Sequence, residues 1–156
     1  MNGERARHAI TDSAESLPQG ADADCAAAQY RRRLPYLPDF FARVAEDLAL
    51  SKATAVLDLG CGTGELSLGF APYCGPVLGL DISPEMIARR DLPANVRLEQ
   101  ADINAGRCAF ERPADLVAIG RAIHFFEREP LLALLDRATA DSAAVLICGS
   151  IVAPAT

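Results

Sequence analysis

Three glycines stand within five positions directly after the apolar run Ala55–Leu59, and this cluster limits the fold more than any other feature. Gly60, Gly62 and Gly64 are followed by Glu65, where a helical pattern begins. Ordered glycine loses much conformational entropy, so such a cluster indicates a backbone that turns tightly or lies close to something else. The stretch therefore predicts a strand, a tight turn and a helix in immediate succession.

Short apolar runs alternate with helical patterns along most of the chain. Strands that are apolar on both faces and separated by helices are typical of a parallel sheet covered on both sides. The pattern therefore predicts an α/β fold with a doubly wound parallel sheet of about five strands in three αβα layers. The predicted strands are Ala55–Leu59, Val77–Asp81, Val96–Gln100, Asp115–Gly120 and Ala144–Ser150; the predicted helices begin at Pro38, run over Glu65–Tyr73, extend from Ser83 to about Arg90, and run over Glu129–Ala140.

Two details of these helices can be predicted. Ser83 is expected to cap the third helix, with Pro84 at its first helical position. The first helix is expected to turn one apolar face toward the sheet, because large apolar residues recur there at helical spacing. Those residues are Leu37, Phe41, Val44 and Leu48.

Length and composition limit the classes of protein that fit. A chain of 156 residues predicts one domain, which we place at residues 30–156, after a disordered segment over residues 1–29 that has few large apolar side chains. The formal net charge of −6 argues against nucleic acid or an anionic membrane as a partner. No apolar run is long enough to span a bilayer, and the N-terminus has no apolar leader region.

Cysteine usage indicates a reduced compartment. The five cysteines form no CxxC pair, so they predict neither a metal site nor a disulfide framework. We therefore expect a cytoplasmic protein.

The glycine cluster is unsuited to a dinucleotide or to a P-loop nucleotide. The dinucleotide fingerprint has its third glycine where this chain has Glu65, and that carboxylate would repel a pyrophosphate at the helix N-terminus. No Gly-Lys-Ser/Thr follows, which excludes a P-loop. Asp81 ends the next apolar run roughly twenty residues beyond Gly60, where a carboxylate can accept both hydroxyls of a ribose. The expected ligand therefore carries a ribose but no diphosphate.

Four segments together resemble the class I S-adenosylmethionine-dependent methyltransferases, in the small-molecule, type 11/25-like branch. The resemblance extends over about Leu37 to Ser150, and it implies a Rossmann-like fold and S-adenosyl-L-methionine as cofactor. The matching segments are Val56–Gly64, Leu78–Ile87, Glu99–Ile103 and Asp115–Phe126.

The resemblance also implies roles for individual residues. Asp58 would organise the ammonium group of the cofactor, directly or through water, while Gly60, Gly62 and the surrounding backbone would pass under its methionine portion. Asp81 would bind the ribose hydroxyls, and Arg121 would line the methionine end and the substrate mouth. The remaining residues expected at the cofactor are Cys61, as a small filler of the loop, Gly64, Ile82 against the adenine face, Met86, Asp102 at the adenine amino group and the Ile103 amide at a ring nitrogen.

On the acceptor side of the site, the residues leave alternatives open. His124 is either a packed loop histidine or a group at the substrate mouth that orients or deprotonates a nucleophile. Phe125 and Phe126 suit the core, and they also suit a wall for a planar acceptor. The resemblance implies methyl transfer to a small molecule by in-line displacement, with the cofactor supplying the chemistry and the protein supplying alignment.

The sequence departs from the family at its C-terminal end. The family has seven strands, and this chain stops after the predicted fifth strand, so we expect a chain lacking the C-terminal strands. Its apolar edge Ala144–Cys148 would then be covered by a partner strand or by a second copy in a homodimer. Two alternatives stay open at this stage: a cofactor-binding module that is catalytically incomplete, and a nicotinamide-dependent oxidoreductase, which the glycine spacing disfavours.

Overall fold

A computed structural model describes residues 34–88, 91–106 and 111–149. All of the described residues belong to one compact unit, which begins at Leu34. The expected disorder of residues 1–29, together with Cys25 and Cys108, lies outside the described residues. The predicted boundary between the two segments stays a prediction.

Helices and strands alternate along the described chain. Ten elements follow one another in the order α1 (Pro38–Asp47), β1 (Val56–Leu59), α2 (Glu65–Phe70), β2 (Val77–Asp81), α3 (Pro84–Ile87), β3 (Val96–Gln100), β4 (Ala114–Gly120), a 3₁₀ turn (Ile123–Phe125), α4 (Arg128–Ala138) and β5 (Thr139–Cys148). None of the described helices has the length and hydrophobicity that a membrane span requires.

The strands form one parallel sheet in the order β3-β2-β1-β4-β5. Strand β1 lies at its centre, and all four of its residues are buried. It pairs with β2 on one side, where Val56 aligns with Val77, and with β4 on the other, where Val56 aligns with Leu116. This topology confirms the predicted α/β fold with a doubly wound parallel sheet of five strands.

The two faces of the sheet bury separate apolar clusters, because side chains alternate along each strand. Leu57, Leu59, Val117 and Ile119 lie on one face with α4. The opposite face holds Val56, Leu116 and Ala118 together with residues of α1 and α2. Helices on both faces explain why the strands show continuous apolar runs rather than alternation.

The expected apolar face of α1 is wrong at both of its ends. Leu37 and Leu48 are exposed, since Leu37 precedes the helix in an extended conformation and Leu48 follows its last turn. The two middle residues of the expected face, Phe41 and Val44, pack toward the sheet as predicted. Phe40, which was not part of that prediction, joins Phe41 at the interface with α2, where both rings pack against that of Phe70.

Other boundaries differ from the predictions as well, among them the end of α4, which lies at Ala138 and not at Ala140. Helix α2 ends at Phe70 and α3 at Ile87, the latter just before the undescribed residues 89–90. Ser83 occupies the N-cap position of α3, but its hydroxyl oxygen accepts no backbone amide of the helix; the hydroxyl donates to the Glu85 carboxylate. Strand β5 starts at Thr139, well before the predicted start, because Thr139 already aligns with Ala114 of β4; an irregularity in the register separates this pair from the next, Leu116 with Ala144.

Candidate functional site

The carboxyl edge of the sheet collects the predicted site residues. The chain leaves β1 toward α2, and the neighbouring strands β2 and β4 lie on opposite sides of β1. A parallel sheet has its topological switch point at such a place, where loops run to opposite faces and leave a crevice. The glycine cluster lies at this point, and Asp81 and Arg121 follow the strands on either side of it.

The glycine cluster forms a tight loop with three left-handed residues. The φ angles of Gly60, Gly62 and Gly64 are 68°, 55° and 85°. The amides of Gly60 and Cys61 both donate to the Leu80 carbonyl, at 2.8 and 3.0 Å, which holds the loop to the end of β2. A Cβ at Gly60 would lie 2.6 Å from the Cβ of Ala122, so the loop also packs against the segment after β4. Both the backbone conformation and the space there require glycine.

The Asp81 carboxylate joins the glycine loop to the start of α3. Its Oδ2 accepts the Gly62 amide at 2.8 Å, and its Oδ1 accepts the Ser83 amide at 3.0 Å. A carboxylate oxygen can accept two hydrogen bonds, so each oxygen retains capacity for one more donor. The two amides fix the plane of the carboxylate, which suits a pair of adjacent hydroxyl groups.

An apolar side chain follows the first of the two predicted adenosine-binding acids. Ile82 is 63% exposed immediately after Asp81, and the Gln100 side chain donates to its carbonyl at 3.1 Å. Asp102 follows β3, and its Oδ1 accepts the amides of Asn104 and Ala105 at 3.0 and 3.2 Å. Asp102 thus forms a turn, which leaves its adenine role a prediction.

The other predicted adenosine-side residues are partly or fully covered. Met86 is half-buried in α3, and Ile103 is buried in the cluster that lies against α4. Cys61 is buried inside the glycine loop, where burial raises the pKa of its thiol. A neutral, buried thiol fits the predicted role of a small filler.

Asp58 lies beneath the glycine loop as a buried carboxylate. Its Oδ2 accepts the backbone amide and the hydroxyl of Ser67, at 3.0 and 2.7 Å. Burial raises its pKa to about 6, the two bonds from Ser67 oppose that shift, and the charge of Asp81 adds to it. The structure therefore shows Asp58 fastening α2 to β1, and its predicted interaction with an ammonium group stays a prediction.

Arg121 is held by the protein itself. It follows β4 with a left-handed φ of 56°, and its amide donates to the Cys148 carbonyl at 2.7 Å. Its guanidinium pairs with Glu65, donates to the Leu34 carbonyl at 2.9 Å and lies 4.4 Å from the centre of the Tyr36 ring. Sequence reasoning missed Tyr36 altogether and missed the pairing of Glu65, since neither follows from a local pattern.

His124 lies in the 3₁₀ turn after β4 and is exposed, so the packed alternative is wrong for its side chain. Its ring contacts that of Phe125, with centroids 4.1 Å apart. Phe125 is exposed as well, whereas Phe126 packs against the core. The core interpretation of the pair therefore holds for Phe126 alone.

Asn104 connects this turn to the adenosine-side loop. Its amide nitrogen donates to the Phe125 carbonyl at 3.1 Å, and its oxygen accepts the Glu127 amide at 2.9 Å. Since Asp102 in turn accepts the Asn104 amide, one chain of hydrogen bonds runs from Asp102 to the turn that carries His124. Within the described residues, no group of three or more His, Cys, Asp or Glu side chains could hold a metal ion.

Known proteins are similar to the part of the chain that forms this edge of the sheet. A profile of the family described as a methyltransferase domain matches residues 56–140. The uncharacterised methyltransferase C70.08c of Schizosaccharomyces pombe is 32% identical over 107 residues, which cover 67% of this chain and 41% of that protein.

Two solved structures resemble the fold. The TehB-like S-adenosylmethionine-dependent methyltransferase of Corynebacterium glutamicum is 25% identical with a TM-score of 0.65, over 80% of this chain and 72% of that one. CalS10, an amino pentose methyltransferase of Micromonospora echinaspora solved with bound S-adenosylmethionine, is 26% identical with a TM-score of 0.61, over 85% of this chain and 58% of that one.

The chain thus spans 41% of the length of its curated relative, so that relative extends well beyond the matched part. The family match covers more than half of the chain and includes the glycine loop, Asp81 and Asp102. S-adenosylmethionine is the cofactor of this family. On the strength of that match and of the sheet topology, the chain belongs to the class I S-adenosylmethionine-dependent methyltransferases.

Proposed function

We propose that this chain binds S-adenosylmethionine at the carboxyl ends of β1, β2 and β3 and transfers its methyl group to a small-molecule acceptor. The single observation that carries the proposal is the Asp81 carboxylate, held in place by the amides of Gly62 and Ser83. It offers two fixed acceptor oxygens beside a bare peptide loop, with the exposed side chain of Ile82 next to them. That combination fits the hydroxyls and the ring of an adenosine.

The charges at the site fit a cationic ligand and not a polyphosphate. Asp58 and Asp81 both lie at the glycine loop. Among the described residues that contact this loop region, Arg121 is the only cation, and Glu65 neutralises its charge. When bound, the cofactor supplies an activated methyl group on a positively charged sulfur. The acidic residues favour that positive charge.

The chain's own residues would bind and align the reactants. We assign the ribose to Asp81, the adenine to Ile82, Asp102 and the Ile103 amide, and the methionine end to the glycine loop above Asp58. Met86 and Gly64 complete the surroundings. In-line displacement then needs mainly alignment and the exclusion of water.

The acceptor would enter beside the 3₁₀ turn. The exposed rings of His124 and Phe125 lie there, one as a polar group and one as an apolar wall. We propose that His124 orients or deprotonates the acceptor; a His124→Ala enzyme with the rate and pH profile of the wild type would remove that role. CalS10 is an amino pentose methyltransferase, and that likeness supports a small acceptor.

The proposal is tested by calorimetric titration of the chain with S-adenosylhomocysteine. We expect binding by the wild type and at least roughly tenfold weaker binding by Asp81→Asn, since a site that loses a charge-assisted pair discriminates strongly. The matched control is Asp115→Asn. Asp115 also accepts a backbone amide, that of Ala55 at 2.7 Å, but at the opposite edge of the sheet.

Two outcomes would contradict the proposal. One is a folded wild-type chain that binds NAD and no S-adenosylhomocysteine; the other is equal loss of binding in both variants. Transfer of a labelled methyl group into a cell extract separates an active enzyme from the alternative, a binding module that is catalytically incomplete.

We also propose a cytoplasmic location for this protein. Cys61, Cys74 and Cys148 are free thiols in the described part of the chain, which supports the expected cytoplasmic location. Fractionation of cells that express the tagged chain would test it.

A further inference from the structure

The segment Leu34–Leu37, which we call the strap, lies against the carboxyl edge of the sheet just before α1. The Tyr36 amide donates to the Glu65 carboxylate at 2.8 Å, beside the first turn of α2. The Leu34 carbonyl accepts a bond from Arg121 at 2.9 Å, after the end of β4. The strap thus contacts residues that follow β1 and β4, and it borders the glycine loop.

Apolar burial contributes little to the attachment of the strap. Leu34 and Leu37 are 81% and 71% exposed, so their side chains gain almost nothing from contact with the edge. Tyr36 is the half-buried exception. Its ring stacks on Phe40 with centroids 5.1 Å apart, and a Cβ at Gly120 would lie 2.6 Å from its hydroxyl.

Arg121 contacts this segment at two places, the Leu34 carbonyl and the Tyr36 ring. Its side chain is 9% exposed, pairs with Glu65, bonds the Leu34 carbonyl and stacks on the Tyr36 ring. A guanidinium offers five donors in a fixed plane together with a face for stacking, and a lysine ammonium offers neither geometry. Because the Glu65 carboxylate accepts from both Tyr36 and Arg121, the three residues form one connected cluster.

We propose that Arg121 is a positioning residue: with Glu65 and Tyr36 it holds the strap over the methionine end of the site and thereby lengthens the time for which the cofactor stays bound. This inference rests on the proposed function. It assigns Arg121 a role through the strap, whereas the resemblance implied that Arg121 lines the site itself. Glu65 follows Gly64 directly, so release of the strap would open the loop to water.

The test measures association and dissociation rates of S-adenosylhomocysteine by surface plasmon resonance with the full chain. We expect Arg121→Lys and Glu65→Gln each to raise the dissociation rate roughly tenfold while the association rate changes little, because most effects at one interface fall on dissociation. The double variant should be no worse than the worse single variant, since both changes release the same strap.

Arg112→Lys is the matched control. Arg112 also pairs with a carboxylate, that of Asp115 at 3.2 Å, and with a backbone carbonyl, that of Ala53 at 3.1 Å, but at the other edge of the sheet. Its dissociation rate should equal that of the wild type. Thermal unfolding of every variant identifies any that fails to fold.

Tyr36→Leu separates the strap from direct binding by Arg121. This variant leaves both charged residues in place and removes the ring on which the guanidinium stacks. Faster dissociation supports the strap, whereas a wild-type rate would overturn it and indicate that Arg121 contacts the ligand itself. A folded wild-type chain that binds no S-adenosylhomocysteine overturns the proposed function and this inference together; unchanged dissociation in Arg121→Lys overturns this inference alone.

Discussion

At the scale of single residues, Asp58 is a buried carboxyl group whose pKa reflects two opposing effects, desolvation and hydrogen bonding. Its side chain is 1% exposed, yet it carries a carboxylate that accepts two bonds from Ser67. Desolvation is the larger effect, so the pKa lies above its ordinary value despite those bonds. An acid in this condition stabilises the fold best when protonated.

The first prediction concerns the pH dependence of stability. Because the folded pKa of Asp58 is about 6 against an ordinary 3.8, its contribution to stability is largest below the ordinary value and falls as the pH rises through that window. In Asp58→Asn this loss is absent, because an amide does not ionise, while its oxygen can still accept from Ser67. We expect the stability of the variant relative to the wild type to increase by roughly 3 kcal/mol between about pH 4 and pH 6 and to stay constant above.

Urea unfolding at several pH values measures this difference. Asp39→Asn, which removes an exposed carboxylate of α1, is the charge-matched control. Parallel pH curves for Asp58→Asn and the wild type would contradict the assignment.

The second prediction compares two glycines with the same backbone conformation. Gly60 and Gly106 have φ angles of 68° and 67°, but a Cβ at Gly60 would meet Ala122 at 2.6 Å and one at Gly106 would meet nothing within 4 Å. Both alanine variants suffer the left-handed penalty, and only Gly60→Ala adds overpacking. We expect Gly60→Ala to be less stable than Gly106→Ala by about 1–3 kcal/mol and to lose S-adenosylhomocysteine binding. Equal free energies of unfolding in urea would contradict this prediction, because they would mean that the loop accommodates the added methyl group without destabilising the fold.

At the scale of elements, α2 is secured at both of its ends. Asp58 binds its first turn, and Lys52 binds the carbonyls that follow its last turn. The Lys52 ammonium donates to the carbonyls of Ala71, Pro72 and Cys74 at 3.5, 3.0 and 3.1 Å. A cation at a helix C-terminus satisfies carbonyls that lack a partner within the helix. A helix of six residues depends on such contacts more than a long one does.

The third prediction follows from this arrangement. Lys52→Met keeps the apolar stem and removes the ammonium, so we expect a loss of about 1–2 kcal/mol in the free energy of unfolding. Arg43→Met, at an exposed position of α1, removes one positive charge without such contacts and should change stability little. Equal losses in both variants would attribute the effect to net charge.

At the scale of the whole molecule, β5 is an end strand of the described sheet. Its side chains Val145 and Ile147 are exposed. They lie on the face of the sheet against which α4 packs, since they align with Val117 and Ile119 of β4. The expected partner strand or homodimer at this edge stays a prediction, and sedimentation velocity at increasing concentration would test it. A monomer at every concentration would exclude the homodimer.

The sequence alone was sufficient for the order of the elements, the parallel sheet and the positions of Gly60 and Asp81. Those features depend on local patterns: apolar runs predict strands, glycine spacing predicts the turn, and an acid after a strand lies at the carboxyl edge of any parallel sheet. The ends of α1 and the start of β5 escaped prediction, because long-range packing determined them.

Only the tertiary structure revealed the cluster of Tyr36, Glu65 and Arg121, and the hydrogen bonds from Asp102 through Asn104 to the turn after β4. Each joins residues that are far apart in the sequence. The fold brings them together because β2 and β4 lie on opposite sides of β1. An ion pair leaves no periodic trace in a sequence, because its energy depends on distance in space and not on spacing along the chain.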